Sequence, residues 1–197
     1  MVRLYPSRPI SLYGRNGQRK YLTSQERKRF IAAAEHCPRA EIGTLGLLLA
    51  YSGCRISEAL SIKRTALNSE DGAVAIRSLK KRGEYIVREV PLPASVMNRL
   101  ESLPQTESGL LWELSRGWAW HLLKELMDEA EIPAGLFATP KGLRHGFGVH
   151  AIRSGIPITL VQRWLGHASL ATTSIYTQVL GNEEREIAAR MWEQAPD

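Results

Sequence analysis

Residues 40 to 58 read AEIGTLGLLLAYSGCRISE, and this stretch decides how the fold is organised. Its strongly apolar first part predicts a core α-helix from about Ala40 to Ser52. Gly53 is expected to end that helix. Arg55 then lies at the entrance of a short third helix, predicted over residues 57–62. The stretch therefore puts a charged residue, Arg55, directly after a buried helix.

The segments on either side predict a mixed architecture. Thr23 and Glu26, three residues apart, form a capping box that opens a helix through about His36. Residues 73–79 and 84–91 alternate as strands do, which predicts a β-hairpin. Further helices are predicted over residues 94–103, 118–130, 140–154, 158–164, 170–179 and 183–193. The expected fold class is α+β, mainly α with a small antiparallel β-sheet.

Composition excludes several classes of protein. The chain has 197 residues, 44% of them hydrophobic and 23% charged, which is typical of a globular protein and not of a disordered or fibrous one. Cys37 and Cys54 lack metal or redox spacing, so we expect two reduced thiols in a cytosolic protein. No apolar run approaches the roughly 20 residues of a membrane span. The basic N-terminus has no apolar core, so a signal peptide is not expected either.

The charge is unevenly distributed. Residues 1–29 hold eight basic residues and one acid, Glu26, and we interpret residues 1–22 as a basic N-terminal arm. Residues 132–182 contain no acid at all, although the net charge of the whole chain is only +6. Such a stretch predicts a phosphate-facing surface, with chance clustering on a solvated face as the alternative. The expected domains are the arm, one domain over residues 23–181 and a tail helix over residues 182–197.

Three short segments carry side chains that suit phosphate chemistry. Lys141 and Arg144 share a face near the start of a predicted helix, where the helix dipole also favours an anion. Arg55 can offer paired hydrogen bonds to phosphate oxygens, and Glu58 can hold its guanidinium in place. The alternatives are solvated charges and an ordinary surface ion pair.

The third segment runs from Leu165 to Tyr176. Gly166 allows a turn that places His167 in a loop before a helix carrying Tyr176. Nearby positive charge lowers the cost of forming a phenolate, so Tyr176 is a candidate covalent nucleophile. The alternatives are a core or surface tyrosine and a structural histidine.

Taken together, these segments resemble the tyrosine recombinase (phage integrase) family over roughly residues 22–192. The motifs are GCRISE at residues 53–58, KGLRH at residues 141–145, and LGH at residues 165–167 followed nine residues after His167 by Tyr176. All three occur in the order and spacing of the family. The fold expected from the resemblance is that of the family's catalytic domain.

The resemblance assigns roles to individual residues. It makes Tyr176 the nucleophile, Arg55 and Arg144 the two arginines, and His167 the second histidine. Lys141 stands where histidine is typical, and it would help position or deprotonate Tyr176. The family's hairpin lysine corresponds to Lys80, with Lys81 as the alternative. The resemblance implies no cofactor and no metal.

The implied function is site-specific DNA recombination of the integrase or invertase type, through a 3′-phosphotyrosyl intermediate. The implied partners are double-stranded DNA, further subunits in a synaptic tetramer and accessory DNA-bending proteins; no membrane is involved. The tail helix, with Ile187, Met191 and Trp192 in one apolar stripe, would pack into a neighbouring subunit or back onto its own core. The expected location is the cytoplasm, in association with the nucleoid.

Two other functions compete with recombination. One is a type IB topoisomerase-like enzyme with the same tyrosine chemistry, and the other is a catalytically silent DNA-binding regulator. Only about 20 residues precede the first helix, fewer than a separate DNA-clamping domain needs. In length the chain is similar to the minimal recombinases that invert fimbrial switches, and it also fits a fragment of a longer protein or a decayed gene.

Overall fold

Helix α1 (Ser24–His36) begins at a complete capping box. Thr23 Oγ1 accepts a hydrogen bond from the Glu26 backbone N–H, and the Glu26 carboxylate accepts one from the Thr23 N–H at 2.8 Å. Phe30 and Ala34 of this helix are fully buried.

The computed structural model describes residues 11–78 and 86–179 of the chain.

Helix α2 (Ala40–Ser52) is the centre of the main core, and all but three of its residues are buried. Gly53 ends the helix in the left-handed conformation, with φ of 60°. A Cβ at this position would lie 2.4 Å from the Phe147 ring and 2.8 Å from the Leu165 side chain. Both the backbone conformation and the close packing therefore require glycine at residue 53.

The remaining elements follow in chain order. They are α3 (Ile56–Ala59), a 3₁₀ turn (Arg64–Ala66), β1 (Leu67–Asn68), β2 (Ala73–Ser78), β3 (Ile86–Pro91), α4 (Ala94–Glu101), α5 (Arg116–Glu129), α6 (Pro140–Arg153), α7 (Ile158–Leu165), α8 (Leu170–Thr173) and a 3₁₀ helix (Ser174–Val179). The strands form one antiparallel sheet in the order β1-β2-β3. In the described ranges, no helix has the length and apolar character needed to cross a bilayer.

Two hydrophobic clusters hold these elements together. The larger one joins α1, α2, α4 and α5 to the inner face of the sheet, where Val74 and Ile76 are fully buried. The smaller one lies between α6, α7 and the last 3₁₀ helix, and it includes Leu12, Phe147 and Tyr176. The smaller cluster thus fixes the segment that carries Tyr176 against α6.

The α+β fold class predicted from sequence is confirmed, and α2 has the predicted bounds. The single helix predicted over residues 170–179 is wrong, because α8 stops at Thr173 and 3₁₀ geometry follows. Hydroxyl side chains compete for the backbone here: Ser174 Oγ donates to Ala171 O, and Thr177 Oγ1 donates to Ser174 O. The third helix is also shorter than predicted.

Several predicted segments fall partly or wholly outside the described residues: the arm before residue 11, the hairpin turn and the tail helix. Residues 11–22 of the predicted arm are folded onto the core. Leu12 is fully buried, and Tyr13 and Arg19 form an antiparallel bridge. The Arg19 guanidinium pairs with Glu26 and lies 3.5 Å from the centre of the Phe137 ring.

Candidate active site

Five side chains singled out from the sequence line one cavity of about 370 Å³. They are Arg55, Lys141, Arg144, His167 and Tyr176, and Arg116 and His145 line it as well. The cavity lies where the start of α3, the first turns of α6, the loop after α7 and the last 3₁₀ helix meet. Among the residues that the structure describes, a larger cavity of about 750 Å³ between β3 and α7 shares only His167 with it.

Arg55 is the residue immediately before α3, and Glu58 holds its guanidinium. Glu58 Oε1 accepts from Arg55 Nη1 at 2.7 Å, and Oε2 accepts from the Arg55 backbone N–H at 3.0 Å. The Glu58 side chain is 2% exposed, whereas that of Arg55 is 48% exposed. The buried carboxylate of Glu58 therefore holds the Arg55 guanidinium in place, and the exposed part of that guanidinium can donate hydrogen bonds into the cavity.

The buried partner of this pair is Arg88, on the inner face of β3. Arg88 donates to Glu58 Oε2 at 2.7 Å, to Ser78 Oγ at 2.8 Å and to the Trp164 carbonyl at 2.6 Å. Burial by itself would raise the pKa of Glu58, but the charge of Arg88 and the hydrogen bonds from Arg88 and Arg55 hold that pKa below its ordinary value. Sequence reasoning missed Arg88; the available signal was its position two residues before buried Val90 in a predicted strand.

Arg144, on α6, is 7% exposed and uses two of its nitrogens within the protein. Nη1 donates to the Gly53 carbonyl at 2.7 Å, and Nη2 donates to the Leu165 carbonyl at 2.8 Å. These carbonyls end α2 and α7, where helix carbonyls lack a partner of their own. Burial first, and then the charge of Arg55, lower the pKa of Arg144 to about 10, so the guanidinium stays charged at pH 7.

Lys141 lies in the first turn of α6, after the N-cap Thr139, whose Oγ1 accepts from the Gly142 N–H at 3.0 Å. It is exposed at the rim of the cavity, whereas Arg144 is buried. Lys141 and Arg144 were predicted to share one face of the helix; in the structure Lys141 is exposed to solvent and Arg144 is buried.

His167 follows Gly166, which ends α7 with φ of 65°. Its Nδ1 lies 2.9 Å from Thr173 Oγ1, and its ring stacks on that of Tyr176 with a centroid distance of 6.3 Å and an angle of 11°. Burial, followed by the charges of Arg144 and Arg55, lowers the pKa of His167 to about 3. The imidazole is therefore neutral at pH 7.

Tyr176 is 1% exposed and sits on Gly148 of α6. A Cβ at Gly148 would lie 2.6 Å from the ring of Tyr176, so the ring occupies space that a side chain would otherwise fill. Burial raises the pKa of Tyr176, and the charges of Arg144 and Arg55 offset only part of that rise. The phenol is therefore protonated at neutral pH.

His145 is the second residue that sequence reasoning missed, although it stands next to Arg144. It is 6% exposed, and its Nδ1 lies 3.1 Å from Tyr176 Oη. The two residues are 31 positions apart, so only the packing of the last 3₁₀ helix on α6 brings them together.

Lys80 and Lys81 lie outside the described residues. Ser78, at the end of β2, lines a smaller cavity of about 360 Å³ together with Arg55 and His167. The described part of the predicted hairpin therefore reaches the edge of the site. Within residues 11–78 and 86–179, no group of three or more His, Cys, Asp or Glu side chains could hold a metal ion.

The sequence profile of the Phage integrase family matches residues 20–183. Tyrosine recombinase XerA of Pyrococcus furiosus is 32% identical over 185 residues, which cover 87% of this chain and 61% of that protein. Tyrosine recombinase XerD of Mycobacterium tuberculosis is 32% identical over 158 residues, covering 72% of this chain and 49% of that protein. The chain thus spans about half to three-fifths of these relatives.

The fold of this chain is also similar to those of solved recombinase and integrase structures. A XerA recombinase matches with a TM-score of 0.73 and 26% identity, over 90% of this chain and 66% of that one. XerH bound to its palindromic difH substrate matches with a TM-score of 0.72 and 24% identity, over 95% and 58%. The catalytic domain of bacteriophage HP1 integrase matches with a TM-score of 0.66 and 20% identity, over 86% and 93%. The last two likenesses, below 25% identity, concern the fold alone.

Proposed function

Since this chain belongs to the phage integrase family, we propose that it is a site-specific DNA recombinase that cleaves and rejoins DNA through a tyrosine. The observation that carries the proposal is the convergence of Tyr176, Arg55, Arg144 and His167 on one cavity. Relatives that match most of this chain are tyrosine recombinases, and XerH, which has a similar fold, was solved with its DNA substrate.

In the proposed reaction, Tyr176 Oη attacks the phosphorus of a DNA phosphodiester. A bond forms between phosphorus and Oη, and the bond to the 5′-oxygen breaks, which leaves a 3′-phosphotyrosyl link and a free 5′-hydroxyl. The ester keeps the bond energy, so religation needs no further energy source and the reaction requires no cofactor. The reverse attack by a 5′-hydroxyl of another strand completes strand exchange.

Arg55 and Arg144 stabilise the negative charge that develops on the non-bridging phosphate oxygens. Preorganised donors of this kind are typically the largest electrostatic contribution to catalysis. Support for their role comes from their anchoring: Glu58 orients Arg55, and two helix-end carbonyls orient Arg144. Both guanidinium groups are held before substrate arrives.

His167 adds a hydrogen bond to the same oxygens. When the Thr173 hydroxyl donates a hydrogen bond to Nδ1, the neutral imidazole carries its proton on Nε2, from which it can donate a hydrogen bond to phosphate. A hairpin lysine, Lys80 or alternatively Lys81, protonates the leaving 5′-oxygen. Lys141, exposed at the rim, contributes a positive charge that attracts the DNA backbone.

The proposed substrate is double-stranded DNA, and the proposed assembly is a tetramer that holds two sites in synapsis. The tail helix predicted over residues 182–197 would link neighbouring subunits, and accessory DNA-bending proteins are proposed as further partners. The proposed place of action is the nucleoid region of the cytoplasm. The type IB topoisomerase-like and silent-regulator alternatives are not favoured, because the relatives named above are recombinases.

A covalent-capture assay tests the proposal. The protein is incubated with nicked suicide duplexes that tile the DNA flanking its coding sequence, and adducts are separated on a denaturing gel. We expect a covalent adduct with the wild type and with Tyr13→Phe, a control at a tyrosine outside the cavity, and none with Tyr176→Phe. No adduct from the wild type, or an adduct that survives Tyr176→Phe, would refute the proposal.

A further inference from the structure

His145 stands in direct contact with the atom that is proposed to react. Its Nδ1 lies 3.1 Å from Tyr176 Oη, and the two rings are tilted at 54° with centroids 5.9 Å apart. This distance is within the range in which a general base accepts a proton. Both side chains are buried, and the 3.1 Å distance between the two atoms is that of a direct hydrogen bond.

The other candidates for proton acceptor are less suited. Lys141 is exposed at the rim of the cavity, whereas the Tyr176 side chain is buried. The Nδ1 of His167 faces Thr173 Oγ1, and its ring lies nearly parallel to that of Tyr176, with the centroids 6.3 Å apart. Of these three side chains, His145 is the one whose ring nitrogen meets the phenol oxygen.

The surroundings of His145 keep its imidazole neutral. Burial is the main cause, and the charges of Lys141 and Arg144 on α6 and of Lys20 before α1 add to it, lowering the pKa of His145 to about 4. Tyr176 and His167 face it from the other side, and both are uncharged at pH 7. A neutral imidazole has one nitrogen free to accept a proton throughout the physiological range.

We propose that His145 is a catalytic residue that accepts the proton of Tyr176 during cleavage, an inference that rests on the function proposed above. As Oη forms its bond to phosphorus, its proton passes to Nδ1 of His145 and the 5′-oxygen leaves with a proton from the hairpin lysine. On religation the 5′-hydroxyl returns its proton to the lysine as its oxygen bonds to phosphorus and displaces Oη, and His145 returns the other proton to the phenol.

The test measures the single-turnover rate of adduct formation on a nicked duplex between pH 6 and 9. Replacement of His145 by Ala should lower the rate about 10²- to 10⁴-fold at pH 7. Hydroxide must then take the proton, so the deficit relative to the wild type should shrink about tenfold for each pH unit. Added imidazole should restore part of the rate to the His145→Ala variant, and DNA affinity should not change.

Two further variants separate proton transfer from positioning. His145→Gln keeps a hydrogen-bonding side chain but cannot accept the proton, so it should be as slow as His145→Ala. His150→Ala, on the same helix and outside the cavity lining, should match the wild type. If the Gln variant reaches the wild-type rate, or the Ala variant shows the wild-type pH profile, the proposal is overturned while the adduct itself still supports recombination.

A measurement on the wild type covers the case in which the variants fail to fold. The proposal requires the His145 proton on Nε2 and a free Nδ1, and nitrogen-15 NMR of histidine-labelled protein distinguishes the two tautomers. A shift typical of an unprotonated Nδ1 supports the proposal. A protonated Nδ1 means that His145 donates to Tyr176, which overturns it.

Discussion

Arg88 and Glu58 form a buried ion pair, with Nη2 and Oε2 2.7 Å apart and each side chain only 2% exposed. The same carboxylate holds the guanidinium of Arg55 at 2.7 Å. Glu58 therefore links Arg88, on strand β3, to Arg55 in the candidate active site. This pair is the structural link between the core and the proposed phosphate-binding arginine.

We expect Arg88→Met to destabilise the protein and to slow DNA cleavage. Removing one partner of a buried pair leaves an uncompensated charge, at a cost of about 3–5 kcal/mol in the free energy of unfolding. Urea denaturation measures this loss of stability. The adduct assay measures how far DNA cleavage slows when the carboxylate that orients Arg55 is disturbed. Arg39→Met, which removes an exposed pair with Glu125, is the matched control and should leave the denaturation midpoint unchanged.

The double variant Arg88→Met, Glu58→Met separates stability from activity. Two apolar side chains often replace a buried ion pair at little cost, so much of the stability should return. Cleavage should stay slow, because Arg55 has lost the carboxylate that orients it. Full recovery of cleavage in the double variant would contradict the positioning role of Glu58.

The stability of the protein should depend on pH through Glu58. The pKa of Glu58 is lower in the folded protein than its ordinary value of 4.5, so the folded state binds the proton less readily than the unfolded state does. The stabilisation is therefore complete above pH 4.5 and is lost as the pH falls through the folded value. The wild type minus Glu58→Gln difference in unfolding free energy should follow that course; a difference that stays constant on acidification would count against it.

Gly148→Ala should displace Tyr176 without unfolding the protein. The added methyl would lie 2.6–2.7 Å from three atoms of the phenol ring, so the ring must move away from His145. We expect adduct formation to fall at least tenfold, a loss of about 1.4 kcal/mol in transition-state stabilisation. Gly117→Ala lies in α5, with no atom of the described residues within 4 Å of the new methyl; it is the control for helix propensity and should not be destabilised. Equal cleavage rates for both variants would argue against the docked ring.

Gly53→Ala should be more destabilising than Gly109→Ala. Both glycines have positive φ, 60° and 72°, so both substitutions cost about 1–2 kcal/mol of backbone strain. At Gly53 the methyl also meets Phe147 and Leu165, whereas at Gly109 no atom in the described part of the chain lies within 4 Å. Overpacking should add about 1–3 kcal/mol to the loss at Gly53, measurable by denaturant titration. Equal losses would mean that the Phe147 ring yields freely.

Local rules explain what was predictable. The capping box at Thr23 and Glu26, the apolar run of α2 and the glycine after it act over a few residues, so they are legible in the sequence and recur in the structure. The helix predicted through Tyr176 failed on a local effect as well, because neighbouring hydroxyl groups compete with the helical hydrogen bonds.

By itself, the sequence determined the α+β class, the core helix and the spaced motifs of the family, because these depend on periodicity, capping and order along the chain. The tertiary structure alone decided which side chains meet. Arg88 contacts Glu58, which lies 30 positions away in the sequence, and His145 contacts Tyr176, which lies 31 positions away. No sequence pattern predicts either contact. Each contact forms because two elements pack together in the folded protein, and the number of residues between two elements does not say whether they will be neighbours.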